Sequence, residues 1–212
     1  MPRIDDYKQA RELGRKALSG KDPKQIAEYS GATIHDTEQG GDFFSIHFIG
    51  RIIHITWPDL GFAYQDSTDD VPIQQQVLML HYLYGSYASN GAALTGEWIS
   101  FQDVPDGRFY MDAFIRRAKE PLIKVFGQKP KQMVELTSKI YDASSFNYGD
   151  YSVMVKALPL VPMALIIWEG DDEFPPDGNI LFDRNIPNIL SAEDIAWLAG
   201  MVVYPLMGMG KK

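Results

Sequence analysis

Apolar residues recur with two different periods along the chain, and the changes of period separate helix-rich from strand-rich stretches. Tyr7, Ala10, Leu13 and Ala17 stand at helical spacing between Ile4 and Leu18, Gly20 stops the pattern, and a short second helix is predicted over 23–29. From Phe43 the period falls to two. Residues 43–49 and 52–57 read as the arms of a β-hairpin around Gly50 and Arg51. With those two residues as the loop, Phe48 faces Ile53, Ile46 faces Ile55 and Phe44 faces Trp57 on the core side. Ile49 then faces Ile52, His47 faces His54 and Ser45 faces Thr56 on a more polar side.

Residues 58–71 are polar and loop-like, and Pro72 suits the first turn of a helix whose stripe is Ile73, Val77, Leu80, Tyr84 and Tyr87, ended by Asn90-Gly91. A short strand at 98–101 and a turn at Pro105-Asp106-Gly107 precede a helix carrying Phe109, Ala113, Phe114 and Ala118, which Pro121 should break or kink. Met133, Leu136 and Ile140 mark another helix over 130–141. Strands return at 151–157, 163–168 and 179–182. The run from Met163 to Trp168 is apolar on both faces, as a central covered strand would be. Ser191 and Asp194 approximate a capping box for a closing helix. The expected fold is α+β, one domain over 1–212, with a mainly antiparallel sheet and helices segregated to one side.

Composition narrows the possible partners. The chain has 212 residues, 45% of them hydrophobic, enough for a sizeable core. Its 20 Lys and Arg against 28 Asp and Glu give a formal charge of −8, so its average field repels phosphate backbones and anionic headgroups. Neither nucleic acid nor membrane is an expected partner. With no cysteine it can form no disulfide and no cysteine-ligated iron–sulfur cluster, and no cofactor is evident. The charged N-terminus has no apolar signal region, and the apolar stretch 195–209, interrupted by Gly200 and Pro205, is short for a membrane span, so a cytoplasmic protein is expected.

Nucleophile elbow, phosphate loop, dinucleotide fingerprint and zinc-helix motifs are absent. Three groupings remain. His47 opposite His54 could share a metal, although no third ligand is evident and ordinary hydrogen bonding is the plainer reading; His35 beside Asp36 and the boundary residue His81 are looser candidates. Trp168 is followed by Glu169, Asp171, Asp172 and Glu173, with Asp177 and Asp183 beyond. Convergent carboxylates could bind a hard cation or supply an acid and base, or simply form a solvated turn. The rings of Trp57, Phe62, Tyr64, Trp98, Phe101, Phe109 and Tyr110 could line a pocket for a flat ligand or close a core, and Arg108, Arg116 and Arg117 nearby could hold an anion.

Leu158-Pro159-Leu160-Val161-Pro162, Trp168, Asp171-Asp172-Glu173-Phe174-Pro175, Ile180-Leu181-Phe182-Asp183 and Leu190-Ser191-Ala192-Glu193-Asp194-Ile195 together resemble the domain-of-unknown-function family 3786. Gly96-Glu97-Trp98-Ile99-Ser100-Phe101, with Tyr110, Ala113-Phe114 and Pro121-Leu122, looks like that family's middle block. The family has no established activity. Its relatives occur mainly in anaerobes, and some carry a cysteine-rich iron–sulfur module, so the resemblance implies a link to redox or corrinoid metabolism; this chain, without cysteine, would need a partner for electron transfer.

The expected function is a non-catalytic accessory domain that binds a small molecule or a protein. The alternatives are a carboxylate-dependent hydrolase using the acidic turn, and a protein-interaction scaffold. The expected functional cluster is Trp98, Trp168, Asp171, Asp172, Glu173 and Asp183, gathered at one sheet edge.

Overall fold

The computed structural model describes residues 4–36, 41–141 and 143–210. The chain gathers into two compact units, residues 1–93 with 188–190 and residues 94–187 with 191–212. The changeover falls in a short loop without a Pro-rich or charged run, so nothing in the sequence marks it.

In the first unit α1 (Ile4–Leu18) is followed by α2 (Pro23–Ser30), which Asp22 opens by accepting the Lys24 N–H at 2.9 Å and Gly31 closes in the left-handed region at φ +67°. Four antiparallel strands follow in sheet order β1-β2-β3-β4: β1 (Thr33–His35), β2 (Phe43–Phe48), β3 (Arg51–Thr56) and β4 (Phe62–Tyr64). Then comes α3 (Ile73–Ala88). It packs along α1, where Gly14 permits the approach: a Cβ there would stand 2.8 Å from Leu80 Cβ. The buried side of α1 runs through Gly14 and Leu18, so Leu13, which spacing places on the apolar stripe, is 60% exposed. α3 is buried around most of its circumference, and Tyr82 inside it donates to the Ser30 carbonyl at 2.7 Å.

The hairpin corrects the expected register. Ile49 and Gly50, at φ +46° and +75°, form the loop, one residue earlier than Gly50-Arg51, and two positive φ values give the turn the twist a hairpin needs. Partners therefore shift by two: Ile46 faces Ile53, Phe44 faces Ile55, His47 faces Ile52 and His54 faces Ser45. Because the shift is even, every side chain keeps its face. Of the six residues expected on the core side, Phe44, Ile46, Phe48, Ile53 and Ile55 are buried, whereas Trp57, one residue past the end of β3, is half-buried.

The second unit is built on a five-stranded antiparallel sheet ordered β5-β9-β8-β7-β6. Its members are β5 (Trp98–Ser100), β6 (Ser144–Ser145), β7 (Tyr151–Leu158), β8 (Val161–Trp168) and β9 (Asp177–Asp183). β8 is central and buried from Val161 to Ile167, as its doubly apolar sequence implies. The helices are α4 (Gly107–Phe114), α5 (Glu120–Phe126), α6 (Pro130–Tyr141) and α7 (Ala192–Gly210). α4 and α5 are joined by a π-helical turn, Ile115–Lys119, in which Glu120 N–H reaches the Ile115 carbonyl. That turn absorbs Pro121 at the start of α5, so the proline does not break the helical run.

Helices lie on one face of this sheet: Phe182 meets the stacked rings of Phe101 and Phe114, and Gly178 comes so close to α5 that a Cβ would stand 3.1 Å from Ile123. Ser191 and Asp194 cap α7 reciprocally, at 3.2 Å and 3.4 Å to each other's backbone N–H. Tyr141 donates to the Val202 carbonyl at 2.8 Å, and burial pushes its phenol pKa up. The class is thus α+β, and no described helix is long and apolar enough to cross a membrane.

Candidate functional site

The strand β8 ends at Trp168, and the chain turns back through Glu169–Pro176 to enter β9. Asp171 builds that turn. Its Oδ1 accepts the N–H groups of Glu173 and Phe174 at 2.8 and 2.7 Å, and its own N–H donates to the Phe174 carbonyl at 2.9 Å. These backbone donors hold the Asp171 carboxyl below the ordinary carboxylate range. Asp172 and Glu173 are exposed, and Phe174 at the tip is 68% exposed. The adjoining depression, 420 Å³, is lined by the turn itself and Gln128.

Asp183 lies at the other end of β9, six residues and about 20 Å from Asp177 at the strand's rise per residue. It is 2% exposed and anchors the loop before β5. It accepts the Thr95 N–H at 3.1 Å, the Thr95 hydroxyl at 3.0 Å, the Gly96 N–H at 2.8 Å and the Asn185 N–H at 2.9 Å. Burial opposes its ionisation, but these donors outweigh it and the carboxyl is held low. The expected six-residue cluster is therefore divided. Trp98, paired with Asp183 across β5 and β9, stands at one end of the sheet, while Asp171, Asp172 and Glu173 stand beyond the other, next to Trp168.

What joins the two ends is a row of rings. On the sheet face away from the helices, Ala164, Ile166 and Leu181 form a buried cluster against which Trp98, Phe146 and Trp168 pack. Trp98 meets Phe146 edge-on at 4.7 Å between centroids, Phe146 stacks with Tyr148 at 6.4 Å, and Tyr148 meets Trp168 edge-on at 6.2 Å. The segment carrying Phe146 and Tyr148 is strapped to the sheet. Ser152 Oγ donates to the Phe146 carbonyl at 2.6 Å and accepts the Tyr148 N–H at 3.1 Å, and Asp150 accepts the Glu169 N–H at 2.9 Å. Gly149, at φ +66°, passes so near the sheet that a Cβ would stand 2.7 Å from Ile166 Cγ2. Trp98 and Trp168, chosen from the sequence, thus belong to one surface, and Phe146 and Tyr148 complete it. The alternation Phe146-Asn147-Tyr148-Gly149-Asp150 was the available sign of them, a ring at every second position leading into a turn.

The remaining candidates disperse. His47 and His54 share the polar face of the hairpin as diagonal rather than opposite neighbours. The ring of His35 stacks on Phe43 at 4.5 Å, which in turn tilts against His54 at 4.9 Å, so Phe43 separates these two imidazoles. No group of three or more His, Cys, Asp or Glu among the described residues could hold a metal ion. Of the aromatic set, Trp57 packs on Phe44, Tyr64 lies beneath the Arg51 guanidinium at 3.5 Å, Phe101 is buried, and Phe109 is 84% exposed. Arg117 stands over Trp197 at 5.3 Å.

Residues 22–204 match the profile of a family described as a domain of unknown function (DUF3786). No curated protein and no solved structure matches the chain.

Proposed function

Since the chain belongs to the DUF3786 family, which carries no established activity, we propose from its geometry that it is a non-catalytic accessory domain and that it binds a flat, largely apolar ligand on the ring-bearing sheet face. The observation that carries this reading is the continuous row Trp98, Phe146, Tyr148 and Trp168, laid on the side of the five-stranded sheet opposite the helices. Such rings offer area for stacking with little conformational entropy to lose. Tyr148, 53% exposed, presents a hydroxyl at the rim for a directional contact.

The carboxylate-enzyme alternative finds less support. A general acid at neutral pH needs a raised pKa, whereas Asp171 and Asp183 are both held low by the backbone donors they organise. Work in anaerobic redox or corrinoid metabolism belongs to the same proposal and follows the family resemblance alone, with electron transfer left to a partner because the chain has no cysteine; residence in the cytoplasm is proposed with it.

The test is a screen of planar aromatic compounds followed by the indole N–H resonances, assigned with single Trp→Phe variants. Binders should shift the Trp98 and Trp168 signals, and Tyr148→Ala should weaken them without lowering the melting temperature. Binders that move only Trp57 or Trp197, or no binder at all, would refute the reading.

A further inference from the structure

The ring row is also a cover. Ala164 and Ile166 of β8 and Leu181 of β9 are buried on the face away from the helices, and Trp98, Phe146 and Trp168 are what packs on them. Two of these three rings are fixed by paired strands, Trp98 opposite Asp183 and Trp168 opposite Asp177. Phe146 is not. It follows β6, an edge strand that pairs with β7 only at Ser144–Met154 and Ser145–Val153, and residues 146–150 beyond it lie outside any strand. Ser152 Oγ holds this segment through the Phe146 carbonyl and the Tyr148 N–H, and Asp150 holds it through the Glu169 N–H. These bonds are exposed or half-buried, the kind that opens without the rest of the sheet.

Ring tilt decides where a planar molecule can lie. Trp98 meets Phe146 at 66° and Tyr148 meets Trp168 at 76°, so the closed row turns edges as well as faces outward and offers no common plane. Beneath Phe146 lies the sheet itself, where Ala164 stands opposite Leu181 and Ile166 follows on the same face. That floor takes an aromatic ring already, since the Phe146 phenyl packs on it with Trp98 at 4.7 Å as a wall.

Resting on the ring-face reading, we propose that Phe146 is an internal occupant of the ligand site. Residues 146–150 form a strap closed by its own phenyl ring, and a planar aromatic molecule of one or two rings binds by displacing Phe146 and lying on Ala164, Ile166 and Leu181. Binding then draws on the open form, so bonds that keep the strap shut oppose it, and the bound molecule frees the strap's amides. Stacking on the closed row requires the opposite of both. Indole, planar and neutral, is the probe, titrated into the isotope-labelled full chain and followed by the Trp98 and Trp168 ring N–H resonances. Ser152→Ala removes the latch and no ring; it should bind indole about fivefold tighter than the parent, the scale of one net hydrogen bond, and melt close to it. In the parent, hydrogen exchange at the Tyr148 and Glu169 amides should accelerate on saturation with indole, while Leu165 in the central strand keeps its rate. Binding by Ser152→Ala no tighter than the parent's, or strap amides that slow or hold their rate, would put the ligand on the closed row; the strap is then only structural and the ring-face reading stands. Indole that moves neither tryptophan in parent or variant would overturn the inference, and failure of every other planar compound would remove the ring-face reading with it.

Discussion

Replacing Asp183 with Asn tests whether this carboxylate is an architectural anchor or a reactive group. The side chain is 2% exposed and takes four donors, Thr95 N–H, Thr95 Oγ–H, Gly96 N–H and Asn185 N–H, all at 2.8–3.1 Å. An amide keeps the shape but turns one acceptor into a donor. If the nitrogen takes the Oδ2 position it faces the Gly96 N–H, and one bond to a charged acceptor becomes a donor–donor contact. A bond to a charged group is worth about 1.5–3 kcal/mol, and the remaining donors lose their charge assistance, so the cost should be about 3 kcal/mol. In a chain of this length that lowers the melting temperature by about 6–12 °C. The cost should also depend on pH. Because the folded pKa is depressed, the carboxylate's contribution is complete above its unfolded value of about 3.9 and is lost as pH falls through the lower folded value. Urea unfolding followed by tryptophan fluorescence at pH 7 and pH 3 should therefore give a wide gap between parent and variant at the first pH and a narrower one at the second. A loss under about 1 kcal/mol at pH 7, or a gap unchanged at pH 3, would mean that these donors do not hold the carboxylate as described.

In the acidic turn, Asp172→Asn with Glu173→Gln should leave the melting temperature unchanged, because both side chains are exposed, whereas Asp171→Ala should lower it by removing the acceptor of two backbone N–H groups; equal effects would contradict that division. Gly85→Ala should destabilise strongly, by about 3 kcal/mol or more, since a Cβ there would stand 1.9 Å from the Ile189 carbonyl oxygen, and a variant melting like the parent would show that the contact yields freely. Truncation after Ser191 removes the fully buried Ile195, Leu198, Val202, Val203 and Leu206, at about 1.5–3 kcal/mol each comparable with the whole stability of a domain, so circular dichroism should find no cooperative transition in the second unit.

Element types were legible wherever one local force dominates. The strand Val161–Trp168 is apolar at successive positions and is central and covered; the reciprocal Ser191–Asp194 cap needs only residues three apart; and the hairpin faces follow from a period of two that a shift of the loop by one residue leaves intact. Register within the hairpin was not legible, because Ile49 adopts φ +46°, a conformation a β-branched residue resists and only the assembled sheet can impose. Leu13 misled for a related reason: helical spacing offers two neighbouring stripes, and the close approach of Gly14 to Leu80 decided which one is buried.

The candidate site divides along the same line. Trp98, Trp168 and the acidic residues are conspicuous in composition, and each does stand at or beyond a strand end, which the sequence by itself determined through the contrast between an apolar strand and a charged turn. Their grouping was decided only by tertiary structure. β9 holds Asp183 about 20 Å from the acidic turn because a strand rises some 3.3 Å per residue, and its burial with four donors makes it an anchor of the loop at Thr95. The ring row exists because strand order β5-β9-β8-β7 sets Trp98, Trp168 and the Phe146–Tyr148 segment on one face, with contacts between residues up to 48 apart in sequence whose closure costs chain entropy that only the packed sheet repays.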